Sequence, residues 1–137
     1  MNTNKIIITG IAGAVISFIV SNIFYNYLFK TYFDSNTYPT DFSTIKWWAS
    51  LTSTLLWGFL FAYILEQAKA ASIKSGAMIA GIVGLIIAAN FDLGFYSVGV
   101  IYKDLTVIAA DVLLTGFIAT VIGATIVYVG GKVKTAA

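Results

Sequence analysis

Read by hydropathy, the chain alternates long apolar runs with short polar breaks. Ile6 to Phe29 and Trp47 to Leu65 carry no charged residue, while Ser75 to Tyr102 and Leu105 to Val129 carry one each, Asp92 and Asp111. An apolar run of about 18 residues or more crosses a bilayer core of about 30 Å at the rise of an α-helix. The pattern predicts four membrane-spanning helices, at about 6–29, 47–66, 75–101 and 105–129. The connections are short, so residues 1–137 form a single transmembrane domain: an all-α, antiparallel up-down four-helix bundle.

The polar breaks fall where such a bundle needs them. The one proline, Pro39, lies in "KTYFDSNTYPTDFSTIK" (30–46), which reads as the one substantial loop, between the first and second spans. "EQAKAASIK" (66–74) joins the second span to the third. "YKD" (102–104) reads as a tight hairpin into the fourth, with Asp104 as its N-cap. Gly130 and Gly131 close that last helix. The first run is longer than a signal-peptide core and lacks an A-x-A-like site near "VSNIF" (20–24), so it reads as a retained helix. Lys5, Lys69, Lys74, Lys132 and Lys134 flank one membrane face and Lys30, Lys46 and Lys103 the other, an asymmetry that puts both termini in the cytoplasm. Tyr32, Phe33, Tyr38, Phe42, Trp47 and Trp48 then read as an aromatic belt at the outer interface.

Composition narrows the chemistry. Of 137 residues 59% are hydrophobic and 10% charged, far below the charged content of soluble domains. A net charge of +2, with lysines scattered singly or in loose pairs, gives no footprint for nucleic acid. Without cysteine or histidine there is no disulfide, thiolate or haem ligand and no ordinary zinc site. No metal or cofactor is assigned.

Helices in lipid associate by close packing of small residues and by hydrogen bonds, because lipid tails are as apolar as leucine. The spans carry such residues in register: Gly10, Ala14, Ser17 and Ser21 in the first, Gly58 with Thr54 and Ala62 in the second, Gly81, Gly84 and Ala88 in the third, Gly116 and Gly123 with Thr120 in the fourth. These stripes read as helix packing, inside the bundle or between subunits of a homo-oligomer or a larger membrane complex.

Polar residues within the spans are fewer and costlier. Asp92 lies one helical step beyond Ala88, so it faces protein. On ideal geometry Asn22 sits about 24 Å and Asp92 about 26 Å above the inner ends of their helices, and Asp111 about 9 Å below the outer end of its own. These positions share one outer-half slab, with Asn26 and Tyr25 a turn higher and Ser53, Thr54 and Thr115 nearby. Two carboxyls in one slab disfavour simultaneous ionisation and call for a shared proton, cation or lysine. The candidate site is Asp92, Asp111, Asn90, Asn22, Asn26 and Thr115. Glu66, beside Gln67 and Lys69, reads as interfacial.

"GLIIAANFDLGF" (84–95) followed by "LTVIAADVLLTG" (105–116) resembles the paired aspartate motifs of uncharacterised four-helix bacterial membrane-protein families. "NIFYNYLFKTYF" (22–33) is similar to the aromatic helix end of a related group, whereas Phe91 and Leu113 to Thr115 depart from the pattern. The resemblance carries no activity. It implies only that Asp92 and Asp111 matter together; the expected location is a bacterial cytoplasmic membrane.

Two functions compete on these residues. One is a transport-like or ligand- or ion-binding protein with an outward-facing polar site around Asp92 and Asp111. The other is a non-catalytic subunit that assembles through its small-residue stripes. An enzyme ranks behind both, since aspartates with tyrosines are a thin set for nucleophile and base.

Overall fold

The computed structural model describes residues 3–38 and 46–133, so Pro39, Phe42 and Lys134 lie outside the described residues. Its elements are α1 (Thr3–Ile23) continued by a π-helical turn (Phe24–Leu28), α2 (Lys30–Asn36), α3 (Trp47–Gln67), α4 (Ile73–Ser97) and α5 (Leu105–Gly130). Four helices are long and apolar enough to cross a membrane: α1 with its π-turn, α3, α4 and α5. The protein is an all-α four-helix integral membrane bundle whose outer faces, among them Ile11, Val15, Leu56, Ile86 and Leu113, offer exposed apolar side chains to lipid.

Three boundaries differ from the hydropathy pattern, each for a local reason. The first helix does not run evenly to residue 29, because Phe29 N–H bonds back to Phe24 O at 2.8 Å, a five-residue step that makes the π-turn. Residues 30–36 are not loop but the short helix α2. The apolar run of the third span continues to Tyr102, yet α4 stops at Ser97. Gly99 takes φ +66°, and Val100 N–H and Gly99 N–H bond back to Phe95 O and Tyr96 O, the paired reverse bonds that end a helix on a left-handed glycine. The connection is therefore residues 98–104, not a three-residue turn. Asp104 then caps α5, its Oδ1 accepting from Thr106 N at 2.8 Å and Val107 N at 3.1 Å.

Glycines set which helices touch. A Cβ on Gly58 of α3 would fall on the Gly10 carbonyl and Ala14 of α1. On the α4–α5 seam, Gly84 faces Ala119, Gly81 faces Thr120, Gly116 faces Leu85, and Gly76 and Gly123 lie backbone to backbone. These small residues are covered by the chain's own helices. The resulting order across the bundle is α3, α1, α5, α4, with only a weak meeting of α3 and α4. That splayed side is where the site lies.

Candidate functional site

A phenol from the α4–α5 connection is the centre of the site. Because Gly99 turns the chain back at the end of α4, Tyr102 folds between the helix ends and is 7% exposed. Val107, Ile108 and Phe33 pack around it. The connection is held against the end of α2: Thr37 and Tyr102 form a β-bridge, Tyr38 N–H donates to Ile101 O at 2.9 Å, and Lys103 Nζ donates to Ser35 O at 2.7 Å. Phe33 is thus part of this cap, while Trp47 and Trp48 are exposed.

From this position the Tyr102 hydroxyl touches both intramembrane carboxyls, Asp92 Oδ1 at 3.0 Å and Asp111 Oδ2 at 2.5 Å. The other oxygen of Asp111 accepts from the Tyr25 hydroxyl, which also contacts Thr115 Oγ1 at 3.1 Å. Asp92 and Asp111 are both buried, and Asp92 Oδ2 has no partner among the described residues. Neither carboxyl is paired with a lysine among the described residues. Lys103, the basic residue nearest in sequence, spends its ammonium on Ser35. Burial first, then the Asp111 carboxyl, push the Tyr102 hydroxyl well above its ordinary value, so it stays a donor.

Counting protons defines what this arrangement can do. A phenol carries one hydrogen, so Tyr102 can donate to only one of the two carboxyls it touches. The second contact is a hydrogen bond only if that carboxyl brings a proton of its own. Two buried carboxylates without a cation face the full desolvation penalty of both charges as well as their repulsion. A single proton on the pair removes one charge and completes the Asp92–Tyr102–Asp111 chain.

Asp92 also lines a cavity of about 360 Å³ that fills the gap between α3 and α4. Its polar wall is Ser17 and Ser21 of α1, Ser50, Ser53 and Thr54 of α3, and Thr115 of α5, and its apolar wall includes Trp57 and Phe61. Ser17, Ser21 and Ala88, placed by spacing on the packing stripes, are cavity lining here. The shape is a hydroxyl-lined cleft with a carboxyl at one end and aromatic rings along its side.

The other candidate residues divide. Thr115 joins the cluster. Asn90 does not: two residues before Asp92 it points roughly 200° around the helix and is exposed. Asn22 and Asn26 do not either. Asn26 Nδ2 donates to Asn22 Oδ1 at 2.9 Å, and Asn22 Nδ2 to Phe18 O at 2.8 Å, a local ladder on the outside of the first span. Depth places residues in a slab but says nothing of rotation, which is why equal height failed for the asparagines. Glu66 is engaged across helices, 2.9 Å from Lys5 Nζ. By sequence Tyr102 reads as part of a turn; the readable signal is Gly99, which ends the helix early enough for the next residues to fold back.

No protein-family model, curated protein or solved structure matches the chain. The geometry alone carries the functional argument. Among the described residues no group of three or more His, Cys, Asp or Glu side chains could hold a metal ion.

Proposed function

We propose that this membrane protein binds a small organic cation in the α3–α4 cleft in exchange for a proton held by the Asp92–Asp111 pair, with the cleft facing the outside of a bacterial cytoplasmic membrane and both termini inside. One observation carries the reading. Two buried carboxyls share the Tyr102 phenol and lack any lysine partner among the described residues, and one of them, Asp92, stands at the wall of a hydroxyl-lined cavity.

The chemistry of the wall selects the ligand class. A substituted ammonium ion supplies a positive charge for the carboxyl pair and N–H donors for the unpartnered Asp92 Oδ2. Trp57 adds a ring face for an alkylated cation. A volume of about 360 Å³ lies near the small end of ligand sites. When the cation arrives, the proton on the pair is no longer needed to offset charge and leaves.

The assembly reading has lost its best surfaces, since the glycines that were to mediate it are covered by α1–α3 and α4–α5 packing within one chain.

The test is proton release on binding. Purified protein in weakly buffered detergent solution is titrated with ethylammonium chloride while a soluble dye reports pH, with choline chloride and sodium chloride as further arms. The expected result is a saturable acidification by an organic ammonium that Asp92→Asn abolishes. Acidification by sodium alone would replace the organic cation with a metal ion. No saturable signal in any arm would overturn the exchange reading.

A further inference from the structure

The cleft has a counterpart at the other end of the bundle. A second cavity, about 190 Å³, lies among α1, α3 and α5 and is lined by Lys5, Thr9 and Glu66 together with Ala62, Leu65 and Ile126. It shares three helices with the Asp92 cavity and takes up where that one stops. On α3, Phe61 lines the first and Ala62 and Leu65 the second. On α5, Ile122 lines the first and Ile126 the second, one turn or about 6 Å further along.

The inner face of α1 runs past both. Every fourth residue from Lys5 to Tyr25, in order Lys5, Thr9, Gly13, Ser17, Ser21 and Tyr25, is polar except Gly13. Lys5 and Thr9 line the second cavity, and Ser17, Ser21 and Tyr25 the first. The gap in this ladder coincides with the gap between the cavities. At Gly13 the bare backbone is covered by Ile126, whose Cδ1 lies 2.9 Å from where a Cβ would stand. Beside it Phe61 is wholly buried and Ile122 is 2% exposed. Trp57 stacks on Phe61 with ring centroids 5.1 Å apart.

We infer that the two cavities are the ends of one interrupted path through the bundle, closed by an apolar barrier of Phe61, Ile122 and Ile126, so that the site at Asp92 serves transport across the membrane and not binding from one side alone. A path needs polar walls up to its barrier and a barrier thin enough for side-chain motion to breach; α1 supplies the first, and one helical turn of apolar side chains meets the second. The ion pair of Lys5 with Glu66 gives the second cavity a polar mouth, with 34% and 21% of the two side chains exposed. The inference builds on the exchange site proposed above, but its test reads access and not binding, so either can fail without the other.

The chain contains no cysteine, so each one introduced is the sole target of a thiol reagent. Ser53→Cys in the first cavity and Thr9→Cys in the second are reconstituted in liposomes and exposed to a charged, membrane-impermeant methanethiosulfonate from one side at a time. The expected result is labelling of the two positions from opposite sides. Labelling of both from the same side, or protection of Thr9→Cys from both, would overturn the path. Phe61→Ala, added to each, should admit reagent from the second side as well. In liposomes with an entrapped pH dye it should raise proton leak by about tenfold or more, equivalent to about 1.4 kcal/mol off the barrier. Asp92→Asn should reverse that leak. A folded Phe61→Ala protein with unchanged leak and unchanged one-sided labelling would remove Phe61 as the barrier. Should that variant not fold, the two single-cysteine proteins decide the question by themselves.

Discussion

Replacing Tyr102 by phenylalanine removes one oxygen and leaves the ring in its pocket, which makes it the sharpest single perturbation of the cluster. The ring's packing against Val107, Ile108 and Phe33 is retained, so no cavity is created and the loss is confined to polar contacts. Two contacts disappear, at 3.0 Å to Asp92 and 2.5 Å to Asp111. One is a bond to a charged group, worth about 1.5–3 kcal/mol, and the other a bond between neutral groups worth about 1 kcal/mol. Some of this returns if the carboxyls close on each other and share their proton directly, so the expected destabilisation is about 2–4 kcal/mol. Thermal unfolding in mild detergent, followed by tryptophan fluorescence and circular dichroism, measures it. The same substitution in an Asp92→Asn background supplies the cycle: its cost should differ from that in the wild type, because one of the two carboxyls that the hydroxyl joins is gone. Tyr102→Phe within about 0.5 kcal/mol of the wild type, the range of an ordinary surface change, would refute the claim that the phenol bridges the pair. Equal cost in both backgrounds would refute the coupling.

Other consequences can be checked separately. Gly84→Leu drives a side chain into Ala119 on the α4–α5 seam and should cost about 1–3 kcal/mol of stability in detergent, as overpacking does; an unchanged melting temperature would show the seam to be loose. Asp104→Ala should lower stability at neutral pH by removing the cap of α5. Bonds from the Val107 and Thr106 amides hold this carboxyl below its ordinary value, so its contribution is present above the unfolded carboxylate range and fades as pH falls through the lowered folded value; the wild type and Asp104→Ala should converge in acid. A difference independent of pH would assign the effect to something other than the charged cap. Glu66→Gln should cost no more than about 1 kcal/mol, because its partner Lys5 is partly exposed. Reporter fusions after residue 133 and within 34–42 test the orientation, with the first expected in the cytoplasm and the second outside.

How far the sequence reaches is shown by three groups of residues. The spans were legible because a bilayer imposes a length and a composition on any helix that crosses it, and the runs around Gly84 and Gly116 satisfy both. Asp92 and Asp111 were legible as a pair because a carboxyl in an apolar helix is costly enough to need a reason. What escaped was set by rotation and by short-range backbone chemistry. Asn90 and Asn22 share the depth of the pair and Asn26 sits a turn higher, but all three lie on other faces, and only packing fixes which way a helix is turned. Tyr102 escaped because the apolar run continued to it, whereas the helix had already ended on the positive φ of Gly99. The polar ladder of α1 was present in the four-residue spacing from Lys5 to Tyr25, although its serines read as packing residues until a cavity was seen beside them.

The central claim is that the Asp92–Tyr102–Asp111 chain holds one proton between two buried carboxyls. Infrared spectroscopy of the protein in lipid bilayers at neutral pH reads it directly, because a protonated carboxylic acid has a C=O stretch separate from those of carboxylates and amides. The expected result is one carboxylic acid band, shifted by hydrogen–deuterium exchange and missing from the Asp92→Asn, Asp111→Asn double variant. A neutral-pH spectrum with no such band, showing both carboxyls ionised, would contradict the account.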